Sequence, residues 1–362
     1  MDQYNSQEIV LHLLRIGLGA EDSIPTVSDW DSVYDLATEQ CVLAIVFDGY
    51  VKKYDAGEEI PQIPVPIKKK WIGASFNVET NFTVQEKAAS DMATVFARNQ
   101  IRTYVLKGYI VAECYPIPEH RRSVDMDCFL VPETGQDFDA WERGNALVEK
   151  NGFHVSRSFY KNSTFALSGL TVENHIYLTP FRGNRRLKKL EVLLQSLIRS
   201  DDGKDKIEGS ELYRPPVMAS ALFLVEHAFS HFLHEGLNLR HITDWMMFRR
   251  YHQKDIDWTL FNQYVDEFGF RRFYDAYLHV GEYVMGKRLY SELSSKEQRM
   301  MDSVWGGLDL HDTIKGFRGK LNLVGNTLRA SWKYRYFSPI SMLHALWIQV
   351  KGFLFIKHPS LN

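Results

Sequence analysis

The sequence predicts an α+β fold: a small β-sheet core over residues 100–199, a helical region before it (1–99) and a helical region after it (200–362). Three observations predict this. Apolar residues recur at helical spacing up to about residue 99 and again from Leu187 onward. Between these stretches lie short β-rich runs separated by Gly- and Pro-containing turns. These runs do not alternate regularly with helices, as they would in a doubly wound fold.

Each element has its own reason. Residues 6–18 form an amphipathic helix with Ile9, Leu11, Leu13, Leu14 and Ile16 at its apolar positions. Asp29 or Asp31 caps a second helix running to about Tyr50. The prolines of EEIPQIPVP (58–66) end that pair, and 67–99 reads as one long helix without proline. Arg102–Leu106 is a strand, and Lys107-Gly108 turns it into a helix at about 109–115. Val124–Val131 is a second strand, followed by a turn at Pro132–Gly135 and a helix at 137–150. Phe153–Ser158 reads as a third strand, and Ser163–Leu167 with Thr171–Leu178 as a hairpin around Ser168-Gly169. Helices follow at 187–199, 214–235, 238–253, 257–268, 270–286 and 295–304.

Composition bounds the function. Hydrophobic residues make up 45% and charged residues 24%, which is ordinary globular composition. A net charge of −2 argues against an extensive nucleic-acid surface. Three cysteines with no CxxC pattern fit a reducing compartment better than a disulfide framework. The N-terminus lacks a basic secretory leader, and no apolar run reaches the roughly 20 residues that span a bilayer. A cytoplasmic protein is therefore expected. Charge is uneven: Ile314–Asn362 holds eight Lys/Arg and no acid, leaving 35 − 45 = −10 on the preceding residues. This basic, aromatic tail fits either peripheral contact with an anionic membrane surface or a packed terminal helix.

The strongest chemical signal is SVDMDCFLV (123–131). Side chains alternate along a strand, so Asp125 and Asp127 share one face while Val124, Met126 and Cys128 take the other. Two adjacent carboxylates repel unless a cation lies between them, and oxygen-only ligands favour Mg²⁺ or Mn²⁺. Upstream, Gly108 permits a sharp turn into a helix N-terminus, and Lys107 adds charge for a phosphate. Downstream, in TVENHIYL, alternation places Glu173, His175 and Tyr177 on one face. Each feature alone also fits ordinary structure: a solvated acidic strand, a simple strand-to-helix turn. In EHAFSHFLHEG (226–236), His227, His231 and Glu235 share a helix face, but no HExxH and no third ligand at zinc spacing follows. Arg240 and Asp244 are spaced to pair along one helix.

Together these features resemble the DNA-polymerase-β-type nucleotidyltransferase superfamily. More narrowly, LKGYIVAECYPIPEHRRSVDMDCFLV, the Glu173-Asn174-His175 strand and the pattern His231, Gly236, Leu239, Arg240, Asp244 resemble a bacterial family of uncharacterised nucleotidyltransferases. The resemblance implies a small mixed β-sheet in which Asp125, Asp127 and Glu173 bind two Mg²⁺ (or Mn²⁺) ions and direct attack on an NTP. It assigns nucleotide contacts to Lys107, Gly108, Tyr109, Arg122, Ser123, His175 and His231. The acceptor would be a sugar, lipid-linked or protein hydroxyl. Departures from the superfamily pattern are Tyr109 where Ser or Gly is usual, a longer Gly108-to-Asp125 gap, and Glu rather than Asp at position 173. The rival readings are a non-catalytic nucleotide-binding protein and a membrane-surface accessory protein.

Overall fold

A computed structural model describes residues 5–133, 138–157, 160–181, 183–306 and 330–355. Helices α1 (Ser6–Gly17), α2 (Trp30–Glu39), α3 (Leu43–Asp55) and α4 (Val65–Ala97) precede the sheet. Next come β1 (Ile101–Val105), the one-turn α5 (Tyr109–Ala112), β2 (Asp125–Pro132), α6 (Phe138–Lys150), β3 (Asn162–Leu167), β4 (Leu170–His175), α7 (Arg185–Ser200) and β5 (Leu212–Tyr213). Helices α8 (Val217–His234), α9 (Leu239–Tyr251), α10 (Trp258–Glu267), α11 (Arg271–Val284), α12 (Ser295–Trp305), α13 (Ser331–Phe337) and α14 (Met342–Phe355) complete the described chain. No helix among the described residues is long and apolar enough to cross a membrane.

The sheet is mixed, in the order β3-β4-β2-β1-β5. The pairs β1–β2 and β3–β4 are antiparallel, whereas β2–β4 and β1–β5 are parallel. The expected α+β architecture is therefore present. The β2–β4 register is what positions the site, because it sets Asp127 directly opposite Glu173.

Several element boundaries differ from the sequence reading. The segment 29–50 is two helices, broken at Cys41, which takes a left-handed φ of 58°. Long-range bonds hold the break: the fully buried Gln40 donates to the Val304 carbonyl and accepts from the Leu239 amide. Phe153–Ser158 is no strand over its described residues; only Ser156 bridges to Thr164, while Phe153 is exposed and Ser158 lies outside the described chain. Strand β4 stops at His175 rather than Leu178, because the Ile176 and Tyr177 amides both turn to the Lys161 carbonyl and the Leu178 amide to Glu191. Finally, helix α8 begins at Val217 rather than 214, after Pro215-Pro216, and the two residues of β5 precede them.

Helices α1 and α3 meet at backbone distance. A Cβ added at Gly49 would lie 2.0 Å from the Leu13 carbonyl oxygen, and one at Gly17 would lie 2.0 Å from that of Ile45. Part of the basic tail packs inward, with Phe337 fully buried and its ring 5.3 Å from that of Phe232. Residues 314–329 and 356–362 of that tail lie outside the described chain.

Candidate active site

Alternation along β2 sends Asp125 and Asp127 to one face, and the parallel neighbour β4 brings Glu173 beside Asp127. Asp127 is 1% exposed, whereas the side chains of Asp125 and Glu173 are about one-third exposed, at 30% and 31%. The Lys107 ammonium lies 3.1 Å from Asp127 Oδ2 and 3.7 Å from Asp125 Oδ2. His175 Nε2 lies 2.8 Å from Asp127 Oδ1 and 3.4 Å from Glu173 Oε2. Two protein cations thus offset the repulsion among three carboxylates.

These contacts fix the charge states. Burial alone pushes the Asp127 carboxyl up, but Lys107 and the hydrogen bond from His175 outweigh it and hold the group well below the usual range. Burial lowers Lys107, yet Asp127 and Asp125 raise it above its ordinary value. His175 is likewise raised: burial and Lys161 oppose its charge, and bonds to Asp127 and Glu173 prevail. Its Nδ1 faces the Tyr177 carbonyl at 3.1 Å while Nε2 faces carboxylates, so both nitrogens donate and the ring is an imidazolium.

The donor set suits a hard divalent cation. Asp127, Glu173 and His175 offer ligand atoms within 4.8 Å of one another. With His175 donating from both nitrogens, the lone pairs that remain belong to oxygens. Asp127 Oδ2 is buried, and among the described residues its partner is the Lys107 ammonium.

Gly108 supplies the turn before the site, with φ 73°. A Cβ there would lie 3.3 Å from Ser123 Oγ, which itself donates to the Asp125 carbonyl. The helix that follows is a single turn, shorter than the 109–115 anticipated. Tyr109 turns to α4, where its ring stacks on Phe82 and its hydroxyl donates to Glu86 at 2.8 Å. Arg122 is exposed, with Nη1 4.0 Å from Cys41 Sγ. Its neighbour Arg121 is 3% exposed and grips Asp244 through Nε and Nη2 at 2.8 and 2.7 Å. The anticipated Arg240–Asp244 pair is therefore not made; Arg240 donates to the Arg122 carbonyl instead. Tyr177, past the end of β4, packs edge-on against Phe181 and does not extend the acidic face.

His231 pairs with Glu235 at 2.9 Å and neighbours His227 and His241, whose nitrogens cluster within 4.8 Å. The third histidine that spacing did not reveal thus arrives from α9. Zinc chemistry is nonetheless disfavoured. A neutral imidazole has one lone-pair nitrogen, and that of His227 faces the Lys107 ammonium at 3.1 Å while that of His241 accepts from the Asn238 amide at 3.2 Å.

Sequence reasoning also passed over Glu226 on α8, which is 2% exposed and has its carboxyl pushed up to about 7, first by burial. Such a group binds more protons folded than unfolded between its ordinary 4.5 and about 7, so its contribution to stability declines as pH rises through that window. Glu226→Gln is expected to stabilise the protein at pH 8 by about 2 kcal/mol more than at pH 5. Urea unfolding at the two pH values checks this; an equal effect at both would remove the assignment.

Residues 26–286 match the family described as "uncharacterised nucleotidyltransferase", a span that runs from just before α2 to just past α11. The chain belongs to that family. No curated protein and no solved structure matches it.

Proposed function

We propose that this chain transfers a nucleoside monophosphate from an NTP to an acceptor hydroxyl, with Mg²⁺ or Mn²⁺ held by Asp125, Asp127 and Glu173. Family membership supports nucleotidyl transfer in general and an NTP as substrate. The observation that carries the finer reading is the three-carboxylate cluster on adjacent parallel strands, with Asp127 buried at its centre.

In this reading Asp127 is the fixed ligand, oriented by His175 from one side. Asp125 and Glu173, each about one-third exposed, face the substrates. Glu173 accepts the proton of the acceptor hydroxyl as that oxygen bonds to the α-phosphorus, and the bond to the β-phosphate oxygen breaks to release pyrophosphate. When bound, the divalent ions supply positive charge to the attacking and leaving oxygens. Lys107 then shifts from the carboxylates to the phosphates, with Gly108 and Ser123 lining the approach. The acceptor belongs to a sugar, a lipid-linked molecule or a protein.

Calorimetric titration with ATP, GTP, CTP and UTP, each with and without Mg²⁺, tests this. Metal-dependent binding that disappears in Asp125→Asn/Asp127→Asn is the expected result. No nucleotide binding by the folded wild type would turn the reading to a non-catalytic scaffold.

A membrane contact is a second proposal, motivated by α14. Leu343 and Trp347, four apart on that helix, are 72% and 62% exposed, within a sequence that carries no acid from Ile314 onward. Sedimentation with phosphatidylserine vesicles should fall when residues 338–362 are deleted. Equal sedimentation of both chains would dismiss it.

A further inference from the structure

Beside the acidic cluster lies an open cleft whose walls include Lys107, Arg121, Asp125, His227, Arg240 and His241. Its chemistry is one-sided. Arg121 is held along one edge by Asp244, which leaves Nη1 buried with no hydrogen-bond partner among the described residues. Arg240 has a carbonyl partner for Nη1, while its buried Nε has none and no carboxylate pairs with it among the described residues. His241 accepts at Nδ1 from the Asn238 amide, so the neutral ring carries its proton on Nε2. Of the two carboxylates in the cleft wall, Asp244 is engaged by Arg121 and by the Tyr115 hydroxyl, while Asp125, 30% exposed, lies 3.7 Å from the Lys107 ammonium.

A concave surface that gathers Lys107, two guanidiniums and, among the described residues, unpaired nitrogens of both is complementary to an anion, with the one open carboxylate, Asp125, at its edge towards the acidic cluster. The amides at the start of α9 play no part, since those of Leu239 and Arg240 go to Gln40 and that of His241 to Asn238. The anion must instead be met by side chains, which reach it from the loop before β2 and from the first turn of α9.

We infer that this cleft is a polyphosphate cradle, in which Arg121 Nη1, Arg240 and His241 hold the β- and γ-phosphates of the NTP and then the departing pyrophosphate. The inference rests on the transfer reading above and adds to it. The leaving group is assigned to helix α9 and to Arg121, not to Arg122 or to amides at the one-turn α5. Lys107 and Asp125 line the same cleft, so an α-phosphate continuous with this anion reaches the acidic cluster. Asp244 is then a positioning residue, because it aims the third nitrogen of Arg121.

The test is calorimetric titration of the full chain with tripolyphosphate and with pyrophosphate in EDTA, comparing wild type, Arg240→Gln and Arg240→Lys. Arg240 is half-buried and bonds only a carbonyl, so these variants should fold; a thermal melt verifies that. Wild type is expected to bind tripolyphosphate, Arg240→Gln to bind it about ten- to a hundredfold more weakly, and Arg240→Lys to fall between. No tripolyphosphate binding by wild type, or equal binding by Arg240→Gln, overturns the cradle. Nucleotide titrations with Mg²⁺ separate the two ideas. If metal-dependent NTP binding persists but ignores Arg240, the cradle fails and transfer stands. If tripolyphosphate binding needs Arg240 but no nucleotide binds with metal, the cradle stands as an anion site and transfer fails.

Discussion

Asp127→Asn is expected to weaken Mn²⁺ binding at least about a hundredfold and to leave no measurable nucleotidyl transfer. Loss of a neighbour that merely orients a metal ligand already costs about ten- to a hundredfold, and Asp127 is the carboxylate that both Lys107 and His175 approach most closely. It is buried, faces Lys107 through one oxygen and His175 through the other, and lies opposite Glu173 in the sheet. The substitution also leaves two buried cations with less counter-charge, so some loss of stability accompanies it. Asp125→Asn separates the two effects, because Asp125 is nearly one-third exposed and its ammonium contact is longer, at 3.7 Å. It should lower Mn²⁺ affinity with a smaller shift in melting temperature. Electron paramagnetic resonance titration of free Mn²⁺ beside a thermal melt reads both. Unchanged affinity in both variants would remove the acidic pair from the site.

Asp244→Ala carries the largest expected effect on stability, a loss of about 3–5 kcal/mol. It strands the Arg121 guanidinium, 3% exposed, without the carboxylate that binds two of its nitrogens, and it takes an acceptor from the buried Tyr115 hydroxyl. Removing both charges should be gentler than removing one, so Arg121→Met/Asp244→Leu should recover much of the loss while abolishing tripolyphosphate binding. Guanidinium unfolding of the three proteins decides it. A cost below about 1 kcal/mol for Asp244→Ala would mean that water reaches and solvates the guanidinium.

The acidic strand was legible because alternation is a local rule: two residues apart on a strand means the same face, whatever surrounds it. Glu173 followed from the same rule applied to β4. The rest of the site depends on contacts that local pattern does not encode. Arg121 and Arg122 are adjacent in a loop without periodicity, and a carboxylate 123 residues away determines which one turns inward. His241 joins His227 and His231 because a tight connection folds α9 back along α8. The break at Cys41 depends on Gln40 reaching Leu239 and Val304. The two residues of β5 are too few for any pattern to register. Glu226 did leave a trace, as the first charged residue in the long apolar stretch that opens α8. A carboxyl in such a place must be neutralised, paired or functional.

The contact between α1 and α3 carries a consequence for how this sequence tolerates change in length. Gly17 and Gly49 each lie against a carbonyl of the opposite helix, so the two rods are keyed at two heights. Inserting one residue between Leu13 and Gly17 would rotate everything beyond it by about 100° and carry the glycine away from its slot. A side chain would then occupy a gap that admits none. The link from Leu18 to Asp29 is held differently, by side chains rather than by backbone contact: Asp22 pairs with His12 and Arg15, and Ile24 and Val27 pack on the core. A change of length there costs those side-chain contacts and can be absorbed by a loop, whereas the keyed segments of α1 and α3 must keep their length.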